Sequence, residues 1–338
     1  MTQRSDFASD NTAGAAPEAL RSLIDANQGS MASYGEDQIT ARAGDLVRQW
    51  LDADAEVRFV ASGTAANAVA LAALCRPFEA VLAHEQSHIV TSETGAPGFF
   101  GGGLSLIGLP GASGRIELAA LQAVLGHADS AHHPSPTALS LTNSTEYGAV
   151  YNLASVRALC EAAKGADPAL SVHLDGARLA MAAAAGFDVT ALKSAGVDIL
   201  IVGGTKAGMP PTEAIVLFDK TLARRFDARL KQAGQLPSKS RFLAAPWIGM
   251  LQSGAFVERA RHANAMAWKL SQAQPFEVLH PTDANAVFVR MPPESLRAAH
   301  AAGWEIHPMS DGSVRLMCSW ATTEALVEEL VEMLKGLA

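Results

Sequence analysis

Short apolar runs alternate with alanine-rich stretches over the first two thirds of the chain. The stretches at 65–74 and 179–185 carry small apolar side chains, which favour helices that pack closely on a sheet. The runs that have the length of buried strands are 56–60, 81–83, 104–108, 138–141, 170–174 and 197–202. Continuous apolar strands separated by helices are typical of a parallel sheet that is buried on both faces. We therefore predict an α/β fold with a large, mostly parallel sheet.

The last third of the chain has a different pattern. The apolar positions from Trp247 to about Gln272 indicate one long amphipathic helix. After it we predict strands at 277–279, 285–291 and 314–317, with helices beginning at Pro293 and covering 324–337. We therefore expect two domains: an N-terminal arm and large domain at 1–245, and a small C-terminal α+β domain with an interdomain helix at 246–338.

Composition narrows the possible partners. The 338 residues carry a net charge of −8 and form no basic stripe, so we expect no nucleic acid partner. No apolar run reaches the roughly 18 residues of a membrane span, and the N-terminus lacks an apolar signal region. Cys75, Cys160 and Cys318 show no CxxC spacing, which favours free thiols in a reducing compartment. We expect a cytoplasmic protein with no membrane partner.

Three residues with complementary chemistry follow two of the predicted strands. Asp175 and Arg178 belong to HLDGAR, and Lys206 belongs to IVGGTKAG. An enzyme that uses pyridoxal 5'-phosphate (PLP) needs a carboxylate that keeps the pyridinium nitrogen protonated and a lysine that forms a Schiff base. It also needs a cation for the substrate carboxylate, which an arginine supplies. The three residues together predict a PLP site.

A phosphate site is predicted upstream. Ser62, Gly63 and Thr64 stand between the strand at 56–60 and the next helix, where free backbone N–H groups and the helix dipole would hold a phosphate. The same three residues also suit a plain helix N-cap. The chain has neither a Walker A loop nor GxGxxG, so a single phosphate fits better than a dinucleotide.

One motif offers an alternative. His84, Glu85 and His88 spell HEQSH, the HExxH pattern that binds zinc when it lies on a helix. A third ligand has no candidate beyond Glu93 or Glu117, and 81–83 also has the pattern of a strand. We keep a zinc hydrolase as the less favoured alternative and expect no metal. Three further histidines lie in a polar, proline-rich loop: His127, His132 and His133.

Motifs along nearly the whole chain resemble the threonine aldolase family, in particular its bacterial low-specificity L-threonine aldolase branch. These motifs are FASDNT, YGED, SGTAAN, SHIVTSETGAPG, HLDGAR, GGTKAG, KQAGQLPSKSRF and VRLMCSW. The resemblance implies the PLP-dependent transferase fold type I, and active sites shared between the subunits of a homodimer or homotetramer. It implies the cleavage of L-threonine, L-allo-threonine and related β-hydroxy-α-amino acids such as phenylserine to glycine and an aldehyde.

The resemblance also assigns roles to residues. It implies that Lys206 carries the cofactor, that Asp175 pairs with its ring nitrogen and that His88 stacks on its ring. The other residues implied to bind the cofactor are Ser62, Gly63, Thr64, Arg178 and Thr205, with Lys231 and Arg241 of the neighbouring subunit. Those implied to bind the substrate are Ser9, Tyr34, Arg178 and Arg315.

Two departures from the family pattern affect the base for the substrate hydroxyl. Many members have THN where this chain has Ser144, Thr145 and Glu146, which removes a histidine. Many also have a serine where Thr205 stands. We take His88 as the first candidate for the base and Glu93 as the second. Another PLP reaction, either β-elimination or transamination, stays open because it would use the same cofactor residues.

Overall fold

A seven-stranded mixed sheet occupies the centre of the computed structural model, which describes residues 4–126 and 131–338. Its strands are β1 (Glu56–Val60), β2 (Glu79–His84), β3 (Ser105–Leu109), β4 (Ser135–Thr142), β5 (Ser171–Gly176), β6 (Ile199–Gly203) and β7 (Glu213–Leu217). They lie in the order β1-β7-β6-β5-β4-β2-β3. Strands β2 to β6 are parallel to their neighbours within that group, whereas β7 is antiparallel to both β6 and β1. The predicted, mostly parallel sheet is confirmed.

Helices cover both faces of this sheet. The helices are α1 (Pro17–Ala26), α2 (Gln38–Leu51), α3 (Gly63–Leu74), α4 (His88–Thr91), α5 (Ala96–Phe100), α6 (Leu118–Leu125), α7 (Leu153–Ala166), α8 (Leu179–Ala184), α9 (Leu192–Ala195), α10 (Phe226–Gln232), α11 (Arg241–Gln252), α12 (Ala255–Ala273), α13 (Pro293–Ala301) and α14 (Glu324–Lys335). Alternate residues of β6 belong to opposite cores: Leu200 and Val202 pack with α8 and α11, while Ile199 and Ile201 pack with α3 and α10. Burial on both faces explains why such strands are continuous apolar runs.

A second, antiparallel sheet follows α12. Its strands are β8 (Glu277–Val278), β9 (Ala286–Arg290), β10 (His307–Pro308) and β11 (Val314–Met317), in the order β10-β11-β9-β8. The second half of α12, together with α13 and α14, packs on this sheet through its own apolar core. The α+β character expected for the tail is present. Helix α11 runs across residues 245 and 246, and the division at that point stays a prediction.

One expectation about elements was wrong, and one strand was not predicted. The single helix expected from Trp247 to about Gln272 is two helices, α11 and α12, because Gly254 adopts a left-handed φ of 75° between them. Ser253 supports the break by accepting a hydrogen bond from the N–H of Ala255 at 3.3 Å. Strand β7 was also missed, although all five of its residues are buried.

The three cysteines are free and buried, each in a different part of the fold. Cys75 follows α3, Cys160 lies in α7 and Cys318 follows β11. Among the residues described here, no helix combines the length and apolar character of a bilayer span. His127 lies outside the described residues, and His132 and His133 are exposed.

Candidate active site

A cavity of about 260 Å³ opens where β4, β5 and β6 end and α3 begins. Carboxyl ends of parallel strands share one edge of a sheet, so residues that follow them come together. The residues expected at the site that line this cavity are Ser62, Gly63, Thr64, His88, Glu93, Asp175, Arg178, Thr205 and Lys206. The structure thus gathers residues that lie up to 144 positions apart in sequence between Ser62 and Lys206.

Lys206 lies in a short 3-10 turn, Thr205–Ala207, directly after β6. Gly203 permits the turn, because a Cβ at this position would lie 2.1 Å from the carbonyl oxygen of Ala177. The Thr205 hydroxyl accepts a hydrogen bond from the N–H of Thr212 at 3.1 Å and fixes the other side of the turn. Burial, reinforced by the charge of Arg178, lowers the pKa of Lys206. A lowered pKa favours the neutral, nucleophilic amine.

Asp175, at the end of β5, begins a chain of hydrogen bonds that reaches His88. The Asn67 side-chain amide donates to Asp175 Oδ2 at 2.8 Å and to Glu93 Oε1 at 2.9 Å. The same Glu93 oxygen lies 2.9 Å from His88 Nδ1. Burial raises the pKa of Glu93, although its bonds to His88 and Asn67 oppose the rise. The chain fixes the orientation of the His88 ring relative to Asp175.

The Ser62-Gly63-Thr64 turn is the N-terminus of the 12-residue helix α3. Ser62 is the N-cap, and its hydroxyl accepts from the N–H of Ala65 at 3.3 Å. The N–H groups of Gly63 and Thr64 have no acceptor within the helix, since they belong to its first turn. A Cβ added to Gly63 would meet only open space. The turn can therefore receive an anion as well as cap the helix.

Arg178 is held by Asp10, a residue whose role the sequence did not indicate. Asp10 accepts hydrogen bonds from Arg178 Nε at 2.7 Å and Nη2 at 3.0 Å, and from the Asn285 side chain at 3.1 Å. Burial alone would raise the pKa of Asp10, but the Arg178 guanidinium overrides it and holds this pKa below its ordinary value. The N-terminal arm, the large sheet and the second sheet thus meet at one ion pair.

Two further carboxylates line the cavity: Glu213, which the sequence did not indicate, and Glu146, which was noted only as part of a departure from the family pattern. Glu213, the first residue of β7, accepts from the N–H of Gly204 at 2.7 Å, and burial raises its pKa to about 7. Glu146, which follows β4, accepts from the backbone N–H of His88 at 2.8 Å through Oε1. Burial, reinforced by the charge of Asp175, raises the pKa of Glu146 to about 7. For Glu213 the available signal was an acid directly before an apolar run, and for Glu146 it was the departure from THN at 144–146.

Two of the expected substrate residues lie beside the cavity and not in its lining. The Ser9 hydroxyl accepts from the N–H of Asn11, which is itself a lining residue, at 3.2 Å. Arg315, in β11, donates from Nη2 to the carbonyl oxygen of Ala8 at 2.9 Å. The Arg315 Nε is buried without an acceptor among the residues the structure describes. Both side chains adjoin the arm that carries Asp10.

Three expected residues lie elsewhere in the same chain. Tyr34 is half exposed and lines a separate cavity of about 370 Å³. The Lys231 ammonium lies 4.4 Å from the centre of the Tyr34 ring. The Arg241 guanidinium lies 5.1 Å from the centre of the Phe242 ring. The structure of one chain therefore does not bring Tyr34, Lys231 or Arg241 to Lys206.

The HEQSH segment does not form the helix that a zinc site requires. His84 is the last residue of β2, and His88 is the first residue of α4. Both ring nitrogens of His84 are used locally, because Nε2 lies 2.9 Å from the Gly111 carbonyl oxygen and Nδ1 accepts from the N–H of Gln86. Glu85 is exposed. The zinc alternative is wrong for this segment, and the described parts of the chain hold no group of three side chains suited to a metal.

Comparison with known proteins gives consistent results. The chain matches the beta-eliminating lyase family over residues 6–293. It is 41% identical over 345 residues to the low specificity L-threonine aldolase of Pseudomonas sp. (strain NCIMB 10558), with 100% of this chain and 99% of that protein covered. The structure of Leishmania major threonine aldolase has a TM-score of 0.90 at 29% identity and covers 98% of this chain and 99% of its own.

A more distant structure extends the fold comparison. Serine palmitoyltransferase from S. paucimobilis, solved with a bound PLP–myriocin aldimine, has a TM-score of 0.70 at 16% identity, with 98% of this chain and 86% of that chain covered. The expected PLP-dependent fold type I is confirmed. The chain therefore belongs to the beta-eliminating lyase family and, within it, to the threonine aldolases.

Proposed function

We propose that this protein cleaves L-threonine, L-allo-threonine and related β-hydroxy-α-amino acids to glycine and an aldehyde, with PLP as its cofactor. The observation that carries the proposal is the single cavity in which Lys206, Asp175 and the Ser62-Gly63-Thr64 turn meet. The likeness to a curated low specificity L-threonine aldolase over the whole chain supports the reaction type.

The residues present fit PLP. The first turn of α3 offers free N–H groups for a phosphate, Asp175 offers a buried carboxylate for a ring nitrogen, and Lys206 offers an amine with a lowered pKa. When bound, PLP supplies an electron-withdrawing ring that takes up the electron pair of a bond broken at the substrate Cα.

The side chains around this cavity have the remaining roles in substrate binding and proton transfer. We propose that the Arg178 guanidinium, oriented by Asp10, binds the substrate carboxylate, with Ser9 and Arg315 completing the clamp. A fixed carboxylate would determine which bond at Cα is aligned for cleavage when the cofactor is bound. Lys206 Nζ then returns a proton to Cα, which completes the Cα of glycine. His88, whose ring is oriented by Glu93, would hold the cofactor ring in place.

We also propose a homodimer or homotetramer with shared sites, located in the cytoplasm. Tyr34, Lys231 and Arg241 are not among the residues that line the cavity of their own Lys206, so we propose that they contribute to the site of a neighbouring subunit. Co-expression of Lys206→Ala and Arg241→Ala chains tests this. Hybrid oligomers regain activity if the residues act across subunits, because one site is then intact, and stay inactive if each chain uses its own pair. Three free cysteines are compatible with a reducing cytoplasm.

Product identification tests the reaction. Threonine, allo-threonine and phenylserine are offered in L and D forms, and glycine, aldehyde, keto acid and ammonia are each quantified. Equal amounts of glycine and aldehyde from the L substrates are expected. A keto acid with ammonia would indicate β-elimination, and a keto acid without ammonia would indicate transamination; either would contradict the aldolase proposal.

A further inference from the structure

One acidic side chain of the cavity, Glu146, has no role in the proposed binding of the cofactor and of the substrate carboxylate. Its Oε1 is fixed by the backbone N–H of His88 at 2.8 Å. Its Oε2 is buried and has no hydrogen-bond partner in the described ranges. A buried carboxylate oxygen without a donor is unfavourable, so such an atom in a binding cavity indicates a group that arrives with the substrate.

The other carboxylates of the cavity already have hydrogen-bond partners or positions that suit other roles. Asp175 accepts from Asn67 on one oxygen and from the N–H of Ala177 on the other. Glu93 also has one oxygen without a donor, but its side chain is 0% exposed, and its other oxygen orients the His88 ring. Glu213 lies on the strand side of the Lys206 turn, bound to Gly204. Glu146 combines a free oxygen with a partly open position in the cavity lining.

We propose that Glu146 is a catalytic residue that accepts the proton of the substrate β-hydroxyl when the Cα–Cβ bond breaks. This inference rests on the proposed aldolase function. Glu146 Oε2 forms a bond to the hydroxyl hydrogen, and the electron pair of the O–H bond becomes the second bond of the aldehyde carbonyl. The electron pair of the Cα–Cβ bond remains on the Cα side, where bound PLP would take it up. Lys206 protonates Cα, and Glu146 returns its proton to solvent, so no other reactant is required.

The electrostatic environment suits this role. Burial raises the pKa of Glu146 to about 7, so the group gains and loses a proton near neutral pH. The charged and titratable groups around it are Asp175 at the end of β5, Arg178 after β5, His88 on α4, and the phenols of Tyr147 and Tyr151 in its own loop. Because only the carboxylate form accepts a proton, cleavage should increase as the pH rises through about 7.

His88 is a weaker candidate for the same proton. Its Nδ1 is hydrogen-bonded to Glu93, and its own backbone N–H holds Glu146 in place. A His88→Phe variant keeps that backbone N–H and an aromatic ring but has no ring nitrogen. We expect His88→Phe to retain the pH-dependent limb of cleavage near pH 7, since Glu146 remains.

The test compares Glu146→Gln with the wild-type holoenzyme. The amide keeps the size of the side chain and an oxygen for the His88 N–H, but it cannot accept a proton. We expect kcat for threonine to fall by about 100-fold or more. Exchange of the glycine Cα proton in D₂O involves no β-hydroxyl, so it should stay within about threefold of wild type. The dissociation constant for PLP should be unchanged, and an infrared band of a protonated carboxyl that titrates near pH 7 should be missing.

Controls separate this role from a structural one. Glu146→Asp keeps a carboxylate, so we expect a reduced kcat that still increases through neutral pH. Glu85→Gln alters an exposed acid outside the cavity and should behave as wild type. Equal loss of glycine exchange and threonine cleavage in Glu146→Gln would overturn the inference, as would cleavage within threefold of wild type. A wild-type protein that exchanges glycine but cleaves no β-hydroxy amino acid would instead overturn the proposed function.

Discussion

The ion pair between Asp10 and Arg178 gives a quantitative prediction. In Asp10→Asn the Arg178 guanidinium keeps its position but loses its negative partner, and the new amide directs an N–H group at another donor. The side chains are 0% and 11% exposed, so water does not replace the lost charge. Removal of one partner from such a buried pair costs roughly 3–5 kcal/mol of unfolding free energy.

The cost converts to a change in thermal midpoint. An unfolding entropy of about 2.1 cal/mol/K per residue, over 338 residues, gives roughly 0.7 kcal/mol/K. The midpoint of Asp10→Asn should therefore lie about 4–7 °C below that of wild type. Because the pKa of Asp10 is lowered from 3.8 in the folded protein, its stabilising effect is complete well above pH 3.8. The difference between the two proteins should shrink as the pH falls below that value.

Differential scanning calorimetry at saturating PLP measures the shift with ligand linkage held constant. Asp6→Asn is the matched control, since Asp6 lies on the same arm, is 37% exposed and is 3.7 Å from Arg4. An exposed pair contributes about 0–1 kcal/mol, so the control should shift by no more than about 1.5 °C. Equal midpoints for Asp10→Asn and wild type at neutral pH would refute the argument that this pair is a buried constraint.

Three other substitutions test the proposed site. The wild-type protein should be yellow and borohydride should fix PLP to Lys206, while Lys206→Ala should lower kcat by on the order of 1000-fold; a colourless protein that added PLP does not activate would refute the site. Asp175→Asn should keep the fold yet lose most glycine Cα–H exchange measured by NMR, because a neutral ring is a poorer electron acceptor, and exchange at the wild-type rate would remove Asp175 from the site. Arg315→Lys should raise KM for threonine and lower kcat by roughly 10- to 100-fold with the visible spectrum unchanged; unaltered kinetics, with Arg178→Lys impaired, would place the carboxylate clamp outside β11.

Much of the fold was predictable because buried parallel strands are continuous apolar runs. The run at 197–202 and the glycines before Lys206 located β6 and its turn from local sequence alone. Strand β7 was missed although the apolar run AIVL follows its first residue, Glu213. The break at Gly254 was missed because one glycine within a long apolar periodicity is also compatible with a continuous helix.

The site was predictable where a residue type alone defines its chemistry. Lys206 and Asp175 stood at strand ends, and the structure places them in one cavity. Asp10 was not recognised, and Glu146 was noted only as part of a departure from the family pattern, because their importance comes from contacts across 168 and 58 residues of sequence. A buried partner at such a separation leaves no local pattern, so an isolated acid has the same appearance as a turn residue.

The three buried cysteines can report when different regions of this protein open. Burial raises the pKa of Cys75 to about 11 and that of Cys160 to about 12, and it raises the pKa of Cys318 as well, so none of the thiols reacts readily in the closed fold. Each becomes labelled only when its own region opens: the edge of the large sheet, helix α7, or the second sheet. Timed alkylation with mass spectrometry would therefore rank these regions by local stability without any engineered probe, and a change in the Cys318 rate alone would report movement of the second sheet when an amino acid binds.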